Sequence, residues 1–569
     1  MKTNLVDMLL SQVDKTPDKI LYNILVDGED NVETLTYSEL KIKASNLANK
    51  LQQDYTKGSR AIVLFDTSSD FIVSLWACLF AELIAVPVNP PLDFKQLQRL
   101  LSIIKDSEPS LILSNSEIIS KMAFFQSYLT NLPVFDKIAV DAIEYDQDSN
   151  YYSDTINENT NAIIQYTSGS VGLSKGVLLN HQNLTDNLYM LKDILDEIPP
   201  KNVEESFMCW LPLYHDMGLM SGVFLAVGSG TFSTLMSPLM FLQKPYRWLK
   251  ALSKYKSTVS AAPNFAYELC VKRITDEQIK TLDLSHWSIA LNGAESVRSE
   301  TINKFIDKFS ECGFDKGALF PAYGLAESVV FVTANSRYSL PVIINVNKEE
   351  LEENRVVEEA KSPNTITLVG VGHTRLDGEV IIVNPNTNIQ LKNQQVGEIY
   401  ISSKSIASKY WNKEKESQET FNIKVDGQEN KGYLKSGDLG FIKNGQLFIT
   451  GRIKDLIILR GRNYYPQHIE YTSENAHTAF RVGSVAAFSV DIDNEERLII
   501  IQEVKNEGNK SEIESMINLI KTQVLETHGV TVYDICLINA GTLHKTSSGK
   551  VQRKYCSKKY LSKELNIWK

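Results

Sequence analysis

Residues 165–176, QYTSGSVGLSKG, are the stretch around which the rest of the chain is organised. They follow a short apolar run, residues 162–164, of the kind that forms a buried strand. Glycines let a backbone approach a ligand closely, and successive backbone N–H groups beside hydroxyls form a concavity that suits phosphate oxygens. The stretch therefore predicts a phosphate-binding loop with one cation, Lys175. A Ser/Gly-rich surface loop is the alternative, and the Walker pattern fails because Gly176 follows Lys175 where that pattern has Ser or Thr.

The composition is that of a soluble globular protein with several packed units. The chain has 569 residues, 43% apolar and 22% charged, which is too long for one core. Its net charge of −10 argues against nucleic acid as a partner, because nucleic-acid binding usually needs a basic face. The six cysteines are far apart and have no metal-ligand spacing. We expect reduced thiols and a cytoplasmic location.

The longest apolar segment, residues 71–88, is interrupted by Glu82 and followed by a Pro-Pro pair. Spanning a bilayer takes about 20 nearly uncharged residues, so this segment predicts a core helix and strand, and we expect no stable membrane insertion. The N-terminus, MKTNLVDMLLSQVDK, lacks the basic flank, long apolar run and cleavage site of a signal peptide.

Residues 1–160 alternate between helical and strand patterns. Thr36 and Glu39 have capping-box spacing. The apolar residues that follow at helical intervals are Leu40, Ala44, Leu47, Ala48 and Leu51. Short apolar runs at 60–65, 84–88, 110–113 and 137–140 predict strands. The alternation favours an α/β fold with a mostly parallel sheet covered by helices.

The pattern changes near residue 366 to short strands and turns, which predict a β-rich subdomain over about 366–453. Residues 451–470, GRIKDLIILRGRNYYPQHIE, mix cations with apolar strand residues and predict a domain boundary. A smaller α+β unit follows. We therefore expect a large N-terminal domain of helix-flanked sheets, residues 1–453, and a small C-terminal domain, residues 454–569.

Several segments place polar residues close to the ends of predicted strands, where open α/β sheets bind ligands. They are LPLYHDMGL (211–219), NGAES (292–296) and AYGLAES (322–328). The tail carries a fourth segment, KTSSGKVQR (545–553), a second Ser/Gly/Lys loop that is strongly basic. Each has an ordinary alternative. His215 could serve as a structural hydrogen-bonding group, Glu327 as a solvated helix start, and Lys550 as a surface lysine.

Seven segments in this order resemble the motifs of the adenylate-forming superfamily, which contains acyl-CoA synthetases, adenylation domains and luciferases. They are the loop at 165–176, the four segments just named, YLKSGDLG (433–440) and residues 451–470. LPLYHDMGL, IILRGRNYYPQHIE and extra length after AYGLAES resemble the fatty acyl-AMP ligases in particular. That family's insertion, here about 337–364, is thought to restrict the C-terminal domain and disfavour transfer to coenzyme A. A simple surface loop is the alternative, because long loops are thermodynamically tolerated.

The resemblance implies a role for each matched residue. The loop residues Thr167, Ser168, Gly169, Ser170 and Lys175 would hold the β- and γ-phosphates of ATP. Glu327, with Thr167, would bind Mg²⁺. Asp438 and Arg452 would bind the ribose, and Gly293, Ala294, Glu295, Tyr323 and Gly324 would border the adenine. His215 would close the acyl pocket, Lys550 would be the main catalytic residue, and Lys454 would be the hinge of a mobile C-terminal lid.

The expected function is ATP-dependent activation of a long-chain fatty acid to an acyl adenylate, followed by transfer to the phosphopantetheine thiol of an acyl carrier protein or of a synthase carrier domain. A long-chain acyl-CoA synthetase is the first alternative, and a catalytically silent acyl- or nucleotide-binding protein is the second.

One departure from the family pattern stands before the last loop, where Leu543-His544 occupies a position at which the family usually has proline.

Overall fold

The architecture comes from a computed structural model that describes residues 2–124, 135–167, 174–198, 203–428, 430–459, 462–492, 495–505, 510–546 and 549–568. Strands and helices are numbered along the chain.

The strands form two large sheets, a β-rich unit and a small C-terminal sheet. They are β1 Ile20–Leu25, β2 Val32–Thr36, β3 Arg60–Leu64, β4 Ile84–Val88, β5 Leu111–Ser114, β6 Asp136–Ala139, β7 Asn161–Tyr166, β8 Gly176–Asn180, β9 Ser206–Cys209, β10 Phe232–Met236, β11 Val259–Ala262, β12 Ile289–Asn292, β13 Leu319–Tyr323, β14 Thr333–Ala334, β15 Ile343–Asn347, β16 Thr365–Val369, β17 Glu379–Val383, β18 Gly397–Ser402, β19 Lys409–Tyr410, β20 Leu434–Lys443, β21 Gln446–Arg452, β22 Ile457–Leu459, β23 Arg462–Tyr464, β24 Phe480–Ile492, β25 Glu495–Val504 and β26 Val532–Asn539.

The α-helices cover the faces of these sheets. They are α1 Leu5–Lys15, α2 Tyr37–Asp54, α3 Ser69–Phe80, α4 Phe94–Ser107, α5 Ser116–Phe124, α6 His181–Glu197, α7 Asp216–Gly218, α8 Leu225–Ser229, α9 Pro238–Gln243, α10 Tyr246–Tyr255, α11 Asn264–Arg273, α12 Asp276–Ile279, α13 Ser299–Phe309, α14 Lys348–Glu352, α15 Glu414–Gln418, α16 Pro466–Asn475, α17 Ile513–His528 and α18 Arg553–Leu561.

The first sheet has the strand order β19-β8-β7-β4-β3-β5-β6. Strands β7, β4, β3, β5 and β6 run parallel, whereas β8 is antiparallel to β7. Strand β4 is buried at every position, as expected for a parallel strand covered on both faces. The predicted capping box of α2 is present, with Thr36 and Glu39 each bonded to the other's backbone.

The apolar segment at 71–88 forms helix α3 and strand β4 inside the core, as predicted. In the part of the chain that the structure describes, no helix is long and apolar enough to cross a membrane. All six cysteines are free thiols, and Cys536 is the one that is partly exposed.

The second sheet has the order β14-β13-β12-β11-β9-β10-β1-β2. Strands β9, β10, β11, β12 and β13 all run parallel to one another, so their carboxyl ends lie at the same edge of the sheet. One apolar core joins this sheet to the first. Ligands of such sheets bind outside the carboxyl ends, and this edge carries most of the candidate site.

The β-rich region contains the antiparallel sheet β17-β18-β20-β21 and the ribbon β15-β16. Strand β15 and helix α14 lie within the predicted insertion. Within the β-rich region, β19 returns to the first sheet and pairs with β8. The C-terminal unit packs β24-β25-β26 against α16 and α17 around a core of its own. The α/β fold with a β-rich part and a small α+β unit is confirmed.

Candidate active site

The predicted phosphate loop joins two antiparallel strands. Tyr166 on β7 pairs with Gly176 on β8, and the Thr167 amide donates to the Lys175 carbonyl at 3.0 Å. The chain thus returns as a hairpin, whereas a P-loop runs from a strand into a helix. The predicted phosphate-binding residues that lie outside the described residues are Ser168, Gly169 and Ser170.

A cleft of about 1590 Å³ brings the other predicted residues together. Those lining it are Thr167, Lys175, His215, Gly293, Ala294, Glu295, Tyr323, Gly324, Glu327, Asp438, Arg452 and Lys550. They come from both large sheets, from the β20–β21 hairpin and from the C-terminal unit. Residues far apart in the sequence therefore share one site.

Asp438 is a buried carboxylate held on two sides. The Tyr323 hydroxyl donates to its Oδ2 at 2.7 Å, and the Arg452 Nε lies 2.8 Å from its Oδ1. Asp438 and Arg452 face each other across strands β20 and β21. The Asp438 carboxylate raises the pKa of Arg452, so that cation stays charged. A carboxylate fixed in this way at the cleft wall is suited to accept hydrogen bonds from sugar hydroxyls.

Tyr410, which the sequence analysis did not predict, links the phosphate loop to Glu327. Its hydroxyl donates to Glu327 Oε1 at 2.7 Å, and the Lys175 ammonium lies 4.5 Å from its ring centroid. Burial, together with the Glu327 carboxylate, raises the pKa of Tyr410, which keeps the hydroxyl a donor. The available signal was the Tyr-Trp pair at 410–411 in otherwise polar surroundings.

His215 is oriented by its neighbour Asp216, with 2.5 Å between His215 Nδ1 and Asp216 Oδ1. Burial raises the pKa of Asp216, but His215 and the nearby Lys550 outweigh it, and the net pKa is lowered. Gln165 on β7 donates to the Tyr214 carbonyl at 2.8 Å. The histidine segment is thereby tied to the strand that carries the phosphate loop.

The wall predicted to border adenine contains backbone that requires particular residues. A Cβ on Gly324 would lie 1.6 Å from the Val330 carbonyl oxygen, so only glycine fits there. Ala294 has a φ of 67°, in the left-handed region. Glu295 accepts a hydrogen bond of 2.6 Å from the Phe265 amide at the start of α11, and burial raises the pKa of Glu295. The Glu295 side chain thus supports the wall.

Lys550 is half-buried and enters the cleft from the C-terminal unit. Its loop is closed by the Thr546 amide, which donates to the Lys550 carbonyl at 2.8 Å, and by the Lys550 amide, which donates to Thr546 Oγ1 at 3.0 Å. Burial and the Arg452 cation lower the pKa of Lys550, and the carboxylates of Asp216 and Asp438 oppose them. The ammonium therefore lies within the electrostatic reach of both the histidine segment and the Asp438–Arg452 pair.

Arg553 fixes the segment that follows Lys550. It contacts Glu470 through two bonds of 2.7 Å and Asp455 through one of 3.0 Å. Bidentate pairs of this kind set geometry as well as energy. Asp455 follows the predicted hinge residue Lys454, so Arg553 joins the segment after Lys550 to the turn that contains Lys454. The sequence analysis did not single out either partner.

Known proteins are similar to this chain over nearly all of its length. The AMP-binding enzyme family model matches residues 9–411, and a model described as Disco-interacting protein 2-like, AMP domain, matches residues 454–569. JamA of Moorena producens (strain JHB), named as a medium-chain-fatty-acid–acyl-carrier-protein ligase, is 38% identical over 100% of this chain and 96% of its own. The chain is an AMP-binding enzyme of the fatty acyl-AMP ligase family.

Two further similarities cover nearly all of the ligase. FadD32 of Mycobacterium marinum (strain ATCC BAA-535 / M), named as a long-chain-fatty-acid–AMP ligase, is 34% identical over 99% of this chain and 95% of its own. The fatty acyl-adenylate ligase from L. pneumophila, solved with acyl adenylate and pyrophosphate, is 36% identical with a TM-score of 0.76. That alignment covers 100% of this chain and 98% of the solved one.

The segment predicted to be an insertion, about 337–364, contacts the C-terminal unit. Lys348, at the start of α14, is buried, and its ammonium donates to the Thr527 carbonyl at 2.7 Å. Asn463 on β23 donates to the Glu352 carbonyl at 3.1 Å. Elsewhere, Arg298 of the large domain lies 2.6 Å from the buried carboxylate of Glu474 on α16. The two parts of the ligase therefore meet through specific polar contacts as well as across the cleft.

The residues at Glu327 fit Mg²⁺ of the kind that arrives with a nucleotide. Mg²⁺ in nucleotide sites is usually held by one or two carboxylates together with substrate phosphates and water. Glu327 lies near the phosphate loop, and Tyr410 orients one of its oxygens. Among the residues that the structure describes, no group of three or more His, Cys, Asp or Glu side chains could hold a metal ion by itself.

Proposed function

We propose that the ligase uses ATP to convert a fatty acid to an acyl adenylate with release of pyrophosphate, and then passes the acyl group to the phosphopantetheine thiol of a carrier protein. The observation that carries the proposal is the position of Lys550. It shares one cleft with His215, with the Asp438–Arg452 pair and with the Glu327–Tyr410–Lys175 cluster. These are the groups that a carboxylate-to-phosphate reaction requires.

The chemical difficulty is that two anions must meet. The fatty acid carboxylate attacks the α-phosphorus of ATP, and pyrophosphate leaves. Charge neutralisation and positioning therefore supply most of the catalysis. The Lys550 ammonium would bridge the carboxylate and the α-phosphate while negative charge moves from one to the other. Burial and the nearby Arg452 cation lower the pKa of Lys550, and a bound anion beside the ammonium would favour its charged form.

The nucleotide would be held at two further points. Asp438 would accept hydrogen bonds from the ribose hydroxyls while Arg452 donates to the same sugar. Thr167 and Lys175, with the rest of the phosphate loop, would hold the β- and γ-phosphates. When bound by Glu327 and Thr167, Mg²⁺ would supply neutralising charge to the phosphates.

The acyl group would extend from His215 along an apolar part of the same cleft. Its lining residues include Leu191, Ile194, Leu195, Met217, Met220, Leu225, Val259, Ala261 and Ile289. Hydrocarbon is favourable there because water leaves both surfaces. The relatives do not decide chain length, since JamA is named for medium-chain and FadD32 for long-chain fatty acids. The long-chain substrate expected from the sequence stays a prediction.

A carrier protein is the favoured acceptor for two reasons. JamA carries an acyl-carrier-protein ligase name, and the insertion of this chain contacts the C-terminal unit through Lys348 and Thr527. Contacts of that kind would restrict the domain rotation that a second half-reaction with coenzyme A needs. An acyl-CoA synthetase is the alternative.

The decisive variant is Lys550→Ala. Removing a charged group that acts in the transition state should lower acyl adenylate formation by about 100- to 1000-fold, the range seen when a preorganised donor is lost. Pyrophosphate release and acyl-AMP, followed with fatty acids of graded length, measure this. Near-normal turnover in the variant would refute the role given to Lys550.

The same assay on the unchanged ligase tests the rest of the proposal. We expect acyl-AMP that persists when coenzyme A is added and disappears when a phosphopantetheinylated carrier protein is added. Efficient acyl-CoA formation would favour the synthetase alternative. Binding of ATP with no pyrophosphate release from any fatty acid would contradict the proposed activity.

A further inference from the structure

The apolar part of the cleft runs along the second sheet toward the amino ends of its strands. Gly293 and Tyr323 line the cleft at the carboxyl edge, where the nucleotide is proposed to bind. Val259 and Ile289, the first residues of β11 and β12, also line it. Because these strands are parallel, the two residues mark the same depth below the reacting end.

An ion pair between a fully buried arginine and a partly buried glutamate lies directly beyond this depth. Arg337 has a relative exposure of 1%, and its guanidinium binds the Glu205 carboxylate through bonds of 2.8 Å and 3.1 Å. The same guanidinium donates to the Leu195 carbonyl at 3.2 Å and to Ser288 Oγ at 2.5 Å. Leu195 itself lines the cleft.

Several residues of this hydrogen-bond network lie one position before a residue that lines the cleft or begins a strand. Ser288 precedes Ile289, and Glu205 precedes the first residue of β9. Thr258, which precedes Val259, donates to the Glu205 carboxylate. A network of charged and hydroxyl groups therefore crosses the amino ends of three neighbouring strands, β9, β11 and β12. An alkyl chain offers no hydrogen bond that could replace any of these contacts, so it cannot pass through them.

We propose that the Arg337–Glu205 pair is the floor of the acyl site and sets the longest fatty acid that the ligase accepts. This inference rests on the proposed function. It also explains why Arg337, at the start of the predicted insertion, is one of the largest fully buried side chains of the protein.

The depth of the site favours a medium chain over the long chain expected from the sequence. Val259 and Ala262, the first and last residues of β11, are three residue steps apart, which corresponds to about 10 Å at roughly 3.3 Å per residue. An extended chain advances about 1.2 Å per backbone bond, because a residue of three bonds spans roughly 3.5 Å. The site therefore accommodates about eight carbon–carbon bonds above its floor.

The test is the chain-length profile of kcat/KM for saturated acids from 6 to about 18 carbons, measured by pyrophosphate release on the full chain. The variant Glu205→Ala/Arg337→Ala removes both charges together, so that neither is left buried alone. We expect its optimum to move to longer acids. The preference for hexadecanoate over octanoate should rise by at least about tenfold, since one methylene in an apolar pocket is worth about 10- to 200-fold.

A milder variant, Arg337→Lys, keeps a cation beside Glu205 but withdraws the planar group from Ser288 and Leu195. It should move the optimum in the same direction by a smaller step, and it decides the question if the double variant does not fold. The matched control is Glu29→Ala/Arg247→Ala, which removes an ion pair of 3.2 Å that does not line the cleft. Its profile should equal that of the unchanged ligase.

An unchanged profile in a folded Arg337 variant, or an equal shift in the control, would overturn the floor assignment. Both results leave octanoate turnover intact and so differ from failure of the proposed function, in which the unchanged ligase activates no fatty acid at all. Efficient use of acids longer than about 10 carbons by the unchanged ligase would also overturn the assignment, because the roughly eight bonds that fit above the floor correspond to about nine carbons.

Discussion

Tyr410 holds two side chains of opposite charge with different parts of its own side chain. Its hydroxyl donates to Glu327, and its ring lies under the Lys175 ammonium. The first contact fixes the carboxylate proposed to meet Mg²⁺, and the second fixes a cation proposed to meet the leaving pyrophosphate. A single aromatic residue therefore contacts both the proposed metal ligand and the proposed phosphate-binding cation.

Substitution can separate these two contacts. Tyr410→Phe keeps the ring and removes the hydrogen bond, which for a charged acceptor is worth about 1.5–3 kcal/mol. We expect the Mg²⁺ concentration for half-maximal adenylation to rise by roughly tenfold or more, with little change in the KM for fatty acid. Tyr410→Leu also removes the ring contact, worth about 0.5–1 kcal/mol at exposed sites and more when dry, and should additionally raise the KM for ATP.

The matched control for Tyr410 is Tyr433→Phe. Tyr433 is buried and donates to Glu379 at 2.9 Å, but it does not line the cleft. Its loss should leave the Mg²⁺ dependence unchanged. Equal Mg²⁺ dependence in Tyr410→Phe and the unchanged ligase would contradict the positioning role.

At the level of elements, helix α6 begins with a histidine that anchors a second helix. His181 is 1% exposed, and its Nδ1 accepts a hydrogen bond of 3.2 Å from the Leu5 amide at the start of α1. This bond requires the neutral ring. Burial lowers the pKa of His181 from 6.5 to about 4, so the folded protein binds this proton more weakly than the unfolded chain does.

The sign of the pH effect follows from that difference. As pH falls below about 6.5, the unfolded chain takes up the proton first, and stability is lost until the folded pKa is reached. At pH 5 this single group should lower the free energy of unfolding by about 2 kcal/mol relative to pH 7. His181→Asn keeps an acceptor near the Nδ1 position without a titrating group, and it should remove that part of the loss.

Urea unfolding of the large domain at pH 7 and pH 5 measures this effect. The difference between the unchanged ligase and His181→Asn isolates residue 181 from other buried histidines such as His468, whose pKa burial also lowers, to about 3. The same loss of stability in both proteins between pH 7 and pH 5 would contradict the assignment to His181.

Elements with a local signal were predictable from the sequence. The capping-box spacing of Thr36 and Glu39 predicted the start of α2, and the apolar run at 71–88 predicted a helix and a strand. The loop after β7 was predicted to bind phosphate from its glycines and hydroxyls, and that role stays a prediction. Its continuation into strand β8 was not predicted, because antiparallel pairing depends on partners elsewhere. Tyr410 was not predicted because β19 has only two residues and is recognisable as a strand only from its pairing with β8.

In the candidate site, too, residues within sequence motifs were predictable and residues that meet only in the fold were not. Residues within ordered motifs, such as Asp438 and Lys550, could be named from the sequence because seven segments matched a family together. Asp216 stood beside a predicted residue, yet its role depends on a distance of 2.5 Å that no sequence displays. The Arg337–Glu205 pair joins positions 132 residues apart with no repeating pattern between them, so only the fold reveals it.

For the molecule as a whole, the insertion and the C-terminal unit meet at a buried lysine. Lys348→Met keeps an apolar side chain of similar length and removes the bond to the Thr527 carbonyl. If this contact restricts the C-terminal unit, the variant should form acyl-CoA from fatty acid, ATP and coenzyme A several-fold faster than the unchanged ligase. A single such hydrogen bond contributes about 1.5–3 kcal/mol.

Mass spectrometry of acyl-CoA and acyl-AMP in the same reaction provides the readout for Lys348. Lys392→Met, at an exposed position of the β-rich region, is the matched control and should leave the product ratio unchanged. An unaltered ratio in Lys348→Met would show that this contact does not limit access of coenzyme A.

Both parts of the protein supply walls of the cleft, and this has a consequence for the lifetime of the product. An acyl adenylate is a mixed anhydride that water destroys. Lys550 and Arg553 line the cleft in which this anhydride is proposed to form, and Arg553 is held there by Glu470. If the proposed reaction takes place there, the C-terminal unit that brings the reactants together would also shield the anhydride from water. We therefore expect the hydrolysis of acyl adenylate to slow as the C-terminal unit is held more firmly. Such a ligase would consume little ATP unproductively before a carrier protein arrives.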